Sequence, residues 1–388
     1  MPSRMPRACS VTLVALLLIA AVHVAPPAAA ASTASLRASG GPLLLAELRD
    51  PEGLPGDGFG YSVGISPHTV VIGEPGFNGV GHVYIYEQSA SGWPRTPTVT
   101  LTDPAGLPRG TFGWSVALSG PTLVVGDYQF SSTSGIAYVY SHTSSGWPAS
   151  PTVTLHDPEA TGGDGFGVAV AVSGNTALVG AYGAGGPFPG AAYLYSRAAS
   201  GWPASPTATL PNPGPPRDLF ALSVALSGAT AVVGACGCGA PGYPGFAYIY
   251  SRGTSGWPST PTISLYDPVS TQGDLFGASL TVSGDTMIIG AAGTDSYRGA
   301  AYIYTKAEGG YFGLASVDQG TAIISEYGRA YVYFEKKHGW PRKPNELVTN
   351  PGGKRDGFAS SKAILDSIAV MGAPATNGNV GAAYIYQV

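Results

Sequence analysis

Seven copies of one motif run through this chain, and no other feature restricts its fold as strongly. The copies begin at Phe59, Phe112, Phe166, Phe220, Phe276, Phe312 and Phe358, usually as Phe-Gly. A tyrosine-rich strand follows each, as in "HVYIY", "AYVY" and "AYLY", with central tyrosines Tyr84, Tyr138, Tyr193, Tyr248, Tyr302, Tyr331 and Tyr384. The early spacing is about 54 residues, and it shortens at the sixth copy. A complete copy reads as four short strands: "FGWSVALSG", "TLVVG", "IAYVYS" and "PTVTLHDP". Small or β-branched residues and aromatics fill them, and "SGP", "SGN" or "SGWPASP" turns separate strand one from two and three from four.

A four-stranded antiparallel unit cannot bury both of its faces alone, whereas radial stacking of such units can. The ends of the chain complement each other. The last copy stops at "AAYIYQV", after its third strand, while "LLLAELRDP" (43–51) has the pattern of a fourth strand. The expected fold is therefore all-β: a seven-bladed propeller of four-stranded antiparallel blades, closed by the N-terminal strand. The fifth copy lacks the "GWPxxPTxTLxDP" segment that supplies strand four elsewhere, so its blade is expected to be three-stranded.

Composition fits such a fold. Glycine (57) and proline (34) are abundant and charged residues form only 11%, yet the apolar runs between them can bury a core. Residues 1–31 read as a signal peptide, with Arg4 and Arg7 ahead of an apolar run and an Ala-rich cleavage region. Residues 32–42 read as a linker and 43–388 as the propeller. The apolar run is too short to span a bilayer and no later segment could, so a secreted, extracellular or cell-surface protein is expected. The formal charge of −4 becomes more negative once Arg4 and Arg7 are removed, which argues against nucleic acid as a partner. A monomer is expected. Cys236 and Cys238 remain after the signal and are read as a local disulfide or two inert thiols.

The run Phe-Gly, "VALSGxTxLVGAP", "GxAYVY" resembles the FG-GAP repeat of integrin α-subunit head domains and of many secreted microbial proteins. The resemblance spans 43–388. It implies extracellular protein or adhesive contact, with carbohydrate binding as a second reading, since lectin-like propellers share the repeat. Lyases and phospholipases with similar repeats make an enzyme the third.

Strand polarity puts the connections between strands two and three on one face, together with the crossovers between copies. Those connections differ in every copy and carry Phe77, Asn78, Tyr128, Phe130, Phe188, Tyr243 and Tyr297, which suit protein or sugar contacts or else cover the blade tops. An aspartate precedes Phe by two residues at Asp57, Asp164, Asp218, Asp274 and Asp356, and an Asp-Pro recurs at Asp50, Asp103, Asp157 and Asp267. Integrin-like blades bind calcium through a "DxDxDG" loop, which this chain lacks. The aspartates are read as turn caps, with occasional calcium binding as the alternative, and no cofactor is expected. Gly60-Tyr61-Ser62-Val63-Gly64 matches the G-x-S-x-G nucleophile pattern by letter, but it lies within a strand and its serine recurs at Ser115, Ser223 and Ser279. The histidines His68, His82, His142, His156 and His338 show no metal-ligand spacing, and the protein is read as non-catalytic.

Overall fold

The computed structural model describes residues 43–387 apart from 54, 78, 107–110, 129–134, 160–162, 184–189, 238–244, 268–272, 294–299, 307–311, 315–320, 327–328, 335–343, 352–356, 366–367 and 376–379. The expected signal peptide and linker lie outside the described residues.

Every described element is a strand. Strand β1 (Leu43–Arg49) precedes a first blade of β2 (Ser62–Ser66), β3 (Thr69–Glu74), β4 (His82–Glu87) and β5 (Val99–Thr102). The second comprises β6 (Phe112–Ser119), β7 (Thr122–Asp127), β8 (Ile136–Ser141) and β9 (Val153–His156). The third comprises β10 (Val170–Ser173), β11 (Thr176–Ala181), β12 (Ala191–Ser196) and β13 (Ala208–Pro211). The fourth holds β14 (Phe220–Ser227), β15 (Thr230–Ala235), β16 (Phe246–Ser251) and β17 (Ile263–Tyr266). The fifth holds β18 (Phe276–Ser283), β19 (Thr286–Ala291), β20 (Ala300–Lys306) and β21 (Phe312–Leu314). Then follow β22 (Thr321–Glu326), β23 (Arg329–Phe334) and β24 (Glu346–Thr349), and finally β25 (Ser361–Leu365), β26 (Ile368–Ala373) and β27 (Ala382–Gln387). Pairing within each sheet is antiparallel, and it is sequential in every sheet but the last, where β1 joins β27. The molecule is an all-β propeller of four-stranded antiparallel blades.

Blade stacking explains the burial pattern. The second strands are buried along their whole length, as in β7, β11 and β15, because neighbouring blades cover both of their faces. The outer strands alternate, with Leu101, Leu155 and Leu210 buried and the residues beside them half-buried or exposed. The motif phenylalanines Phe59, Phe112, Phe166, Phe220, Phe276 and Phe358 are buried where blades meet. Phe112 packs on Tyr138 of its own blade, ring centroids 5.6 Å apart, and on Val71, Val83 and Ile85 of the blade before. Gly113 has φ +88° in a bulge between Phe112 and Ser115, and a Cβ there would meet the His82 carbonyl at 2.7 Å. Ala221 and Ala359 hold the same left-handed conformation without a glycine.

A hydroxyl clasp crosses the seams. Ser62 donates to the Gly113 carbonyl at 2.8 Å, Ser115 to Gly167 at 2.9 Å and Ser223 to Gly277 at 2.7 Å. Ser361 donates to Gly60 at 2.7 Å, which joins the last blade to the first. The β1 strand completes the last sheet in the order β1-β27-β26-β25, with Leu43 opposite Gln387 and Arg49 opposite Ala382. The N-terminal strand therefore closes the ring as expected.

The fifth blade departs from the expectation of three strands. Residues 312–314 pair with β20, Lys306 opposite Phe312 and Tyr304 opposite Leu314, and supply a short fourth strand. An open edge of unpaired backbone groups takes up the next extended segment within reach. The motif that starts the innermost strand in other copies is spent on the outside of the fifth blade. The sheet that follows has three strands among the described residues, in the order β22-β23-β24.

Candidate functional site

The crossovers and the loops between strands two and three meet on one face. A parallel bridge joins Phe59 to Gly381, and the Gly76 amide donates to the Asp57 carbonyl at 3.0 Å. The same tie recurs from Gly183 to Asp164 at 2.7 Å, from Gly237 to Asp218 at 2.9 Å and from Gly293 to Asp274 at 2.9 Å. The recurrent aspartates thus anchor the variable loops through their backbone. Their side chains cap turns. Asp164 accepts from the Phe166 amide at 3.2 Å and Asp218 from the Phe220 amide at 3.0 Å. The Asp-Pro residues do the same two residues on: Asp50 accepts from Glu52 at 2.8 Å, Asp103 from Ala105 at 2.8 Å and Asp157 from Glu159 at 3.0 Å. Asp356 lies outside the described residues. Among the described residues no group of three or more histidine, cysteine or acidic side chains has a metal-binding arrangement.

At the loop face the rings of the first three blades form a run. Phe77 is 39% exposed and meets Tyr61 edge-on at 5.6 Å. Tyr61 lies 4.6 Å from Trp114, Trp114 5.1 Å from Tyr128, and Tyr128 5.6 Å from Tyr182, with the two tyrosine hydroxyls hydrogen-bonded. Burial raises Tyr61 and Tyr128 above the usual phenol range. Tyr128 is only 8% exposed, so it supports the run, and Phe77 presents the accessible ring. Tyr61 and Trp114 follow Phe-Gly directly, and Tyr182 directly follows β11. Recurrence could have flagged these positions, since Val168, Leu222 and Ala278 match Tyr61 and Trp114 in later copies. Asn78, Phe130, Phe188, Tyr243 and Tyr297 lie outside the described residues.

Blade one also carries an acid–imidazole pair that spacing in the sequence did not reveal. Glu74 and His82 are direct cross-strand partners, with Glu74 Oε1 3.5 Å from His82 Nδ1. Glu52 Oε1 lies 3.8 Å from His82 Nε2, and the Tyr84 hydroxyl donates to Glu74 Oε1 at 3.3 Å. The Glu74 carboxylate holds His82 above the usual imidazole value against the opposing effect of burial, with Glu52 and Asp57 adding to it. Burial pushes Glu74 itself up, and His82 opposes that. Two departures from the repeat marked this pair in the sequence. The same cross-strand positions hold alanine pairs in the third, fifth and last blades.

The Ser62 hydroxyl, matched by letter to a nucleophile, is buried and committed to the Gly113 carbonyl. Cys236 is buried and disulfide-bonded, and Cys238 lies outside the described residues.

The FG-GAP repeat family matches at residues 44–86, 96–140, 150–195 and 264–304. The chain is an FG-GAP repeat protein. No curated protein matches it. Each matched stretch begins in or just before the outer strand of one blade and ends in the third strand of the next, β1 to β4 in the first case. The FG-GAP unit of sequence therefore straddles a seam, and its Phe-Gly lies where two blades join. No helix among the described residues is long and apolar enough to cross a membrane.

Proposed function

We propose that this FG-GAP propeller is a secreted, non-catalytic binding and adhesion module that contacts extracellular proteins through its variable-loop face. The ring has seven blades, the β22-β23-β24 sheet being the sixth, and acts as a monomer without a cofactor. The observation that carries this reading is the division of labour at that face. Identical aspartate ties hold the starts of the loops, while the loops themselves share no sequence. A constant frame with variable connections is the usual arrangement for recognition. The test replaces the loops at 129–134, 184–189 and 238–244 with short glycine linkers and compares capture of surface proteins with that of a variant altered at the Trp147 and Trp202 turns. Loss of capture in the first alone supports the reading; equal capture by both overturns it.

A second reading, carbohydrate binding, draws on the Phe77, Tyr61 and Trp114 rings, whose flat faces suit sugar C–H groups. A glycan-array signal abolished by Phe77→Ala would favour it over the protein-binding reading.

A further inference from the structure

The seam after the fifth blade differs from the others. In the first four blades and the last, a glycine of the second strand lies against the backbone of the next Phe-Gly strand. A Cβ on Gly73 would run into the Gly113 carbonyl, on Gly126 into Gly167, on Gly180 into Ala221, on Gly234 into Gly277 and on Gly372 into Gly60. Gly290 holds that place in blade five, yet among the described residues a Cβ there would meet only Ser279 of its own blade. The serine clasp differs too. Ser62, Ser115, Ser223 and Ser361 are buried or half-buried and donate across a seam. Ser279 is exposed, and its hydroxyl bonds to no described residue. The apolar face beside them is open. Ile288 and its cross-strand partner Ile303 are half-buried, whereas the matching pair in blade four, Val232 and Ile249, is fully buried. The strand made for this place is close by. Phe312-Gly313-Leu314 opens the next copy, but it pairs with the outer edge of β20.

We propose that residues 312–314 have two seats, the outer edge of blade five and the open seam on its inner side, and that the protein exchanges between them. Each seat supplies what the other leaves unmet. On the outer edge the segment pairs with the backbone of Tyr304, Thr305 and Lys306. In the seam it covers Ile288 and Ile303 and offers Ser279 a carbonyl, as Gly277 does for Ser223. A short ladder set against partial apolar burial gives two packings of similar energy, the condition for a two-state element. Chain length permits the exchange. With Thr305 and Lys306 released, the chain from Tyr304 to Phe312 can extend about 27 Å, at about 3.4 Å per residue. The climb along β20 from Tyr304 to Ala300 takes only about 13 Å of that. The seam seat closes the inside of the ring and bares the β20 edge, and the outer seat does the reverse.

Two pairs of introduced cysteines read the seats. Thr305 and Gly313 are direct partners on the outer edge, so Thr305→Cys with Gly313→Cys traps the first seat. In a seam the residue after Phe-Gly meets its counterpart of the preceding blade, as Tyr61 and Trp114 do with ring centroids 4.6 Å apart. Ala278→Cys with Leu314→Cys therefore traps the second. In a glutathione buffer, with the fold checked by circular dichroism, each pair should close within one molecule, as mapped by peptide mass spectrometry. Gly290→Ala separates the two. Its Cβ meets only the Ser279 hydroxyl, which can turn aside, so the outer seat stands while the seam seat is blocked. This change should abolish the 278–314 bond and leave the 305–313 bond intact. Closure of only one pair in the folded protein would overturn the proposal, as would a 278–314 bond that survives Gly290→Ala. A 278–314 bond formed between two molecules would do the same, since the seam would then take the strand of a second copy. Gly290→Ala without added cysteines covers the case in which the cysteine variants fold poorly. It should slow amide exchange at Tyr304, Thr305 and Lys306 several-fold relative to wild type, and unchanged exchange there would also overturn the proposal.

Discussion

Ser62 owes its catalytic look to the spacing of glycines, and its place in the seam turns it into a joint. The hydroxyl bridges to Gly113 as Ser361 bridges to Gly60, so Ser361→Ala leaves a buried carbonyl at the closing seam without its donor. The expected loss is about 1–2 kcal/mol, read from the urea midpoint. An unchanged midpoint would mean that the clasp contributes nothing. His82 gives a prediction with a definite sign. Its value is raised in the fold, so its attraction to Glu74 and Glu52 is complete below the unfolded imidazole value and lost as the pH rises through the folded one. Wild type should therefore lose stability relative to His82→Gln as the pH rises above the ordinary imidazole value of about 6.5, and melting curves that stay parallel above it would refute it. The turn-capping aspartates were legible because they recur, and recurrence reports a packing need shared by every blade. Glu74 and His82 stood out only as departures from the repeat, and it is the strand register that brings them together.

At the level of the strand, repetition carried the reading until a copy became irregular. The absence of the "GWPxxPTxTLxDP" segment after β20 correctly signalled that the usual fourth strand was missing. It could not show that Phe312-Gly313-Leu314, bearing the signature of an innermost strand, would fill the edge instead. Register at an edge is set by what is near and extended, and motif identity does not enter. The short pairing has a measurable consequence. The amides of Tyr304 to Lys306 face only three paired residues on β21, so they should exchange faster than those of β19 and slower than those of connecting loops. Loop-like exchange at those amides would remove β21 from the fifth blade. The loop face was legible only as a place. Its connections have no repeat to compare, and what they bind depends on side chains that no internal copy constrains.

At the level of the whole ring, closure depends on β1. Removing Leu43–Arg49 uncovers the β27 edge and exposes residues packed against Leu48, which is fully buried. A clear fall in melting temperature or aggregation is expected, and a truncated protein that melts like wild type would refute closure by this strand. The same pairing decides how the molecule bears load. Leu43 and Gln387 lie opposite each other at one end of the β1–β27 ladder, on the face away from the variable loops. Tension applied between those two residues would open the ladder like a zipper, one residue pair at a time, and the ring would yield at low force. Tension between either terminus and a ligand held at the loop face instead runs along the strands and strains many backbone bonds together. In a force spectrometer the first geometry should give way well before the second. For an adhesive protein, that difference makes the point of tethering as consequential as the strength of the grip.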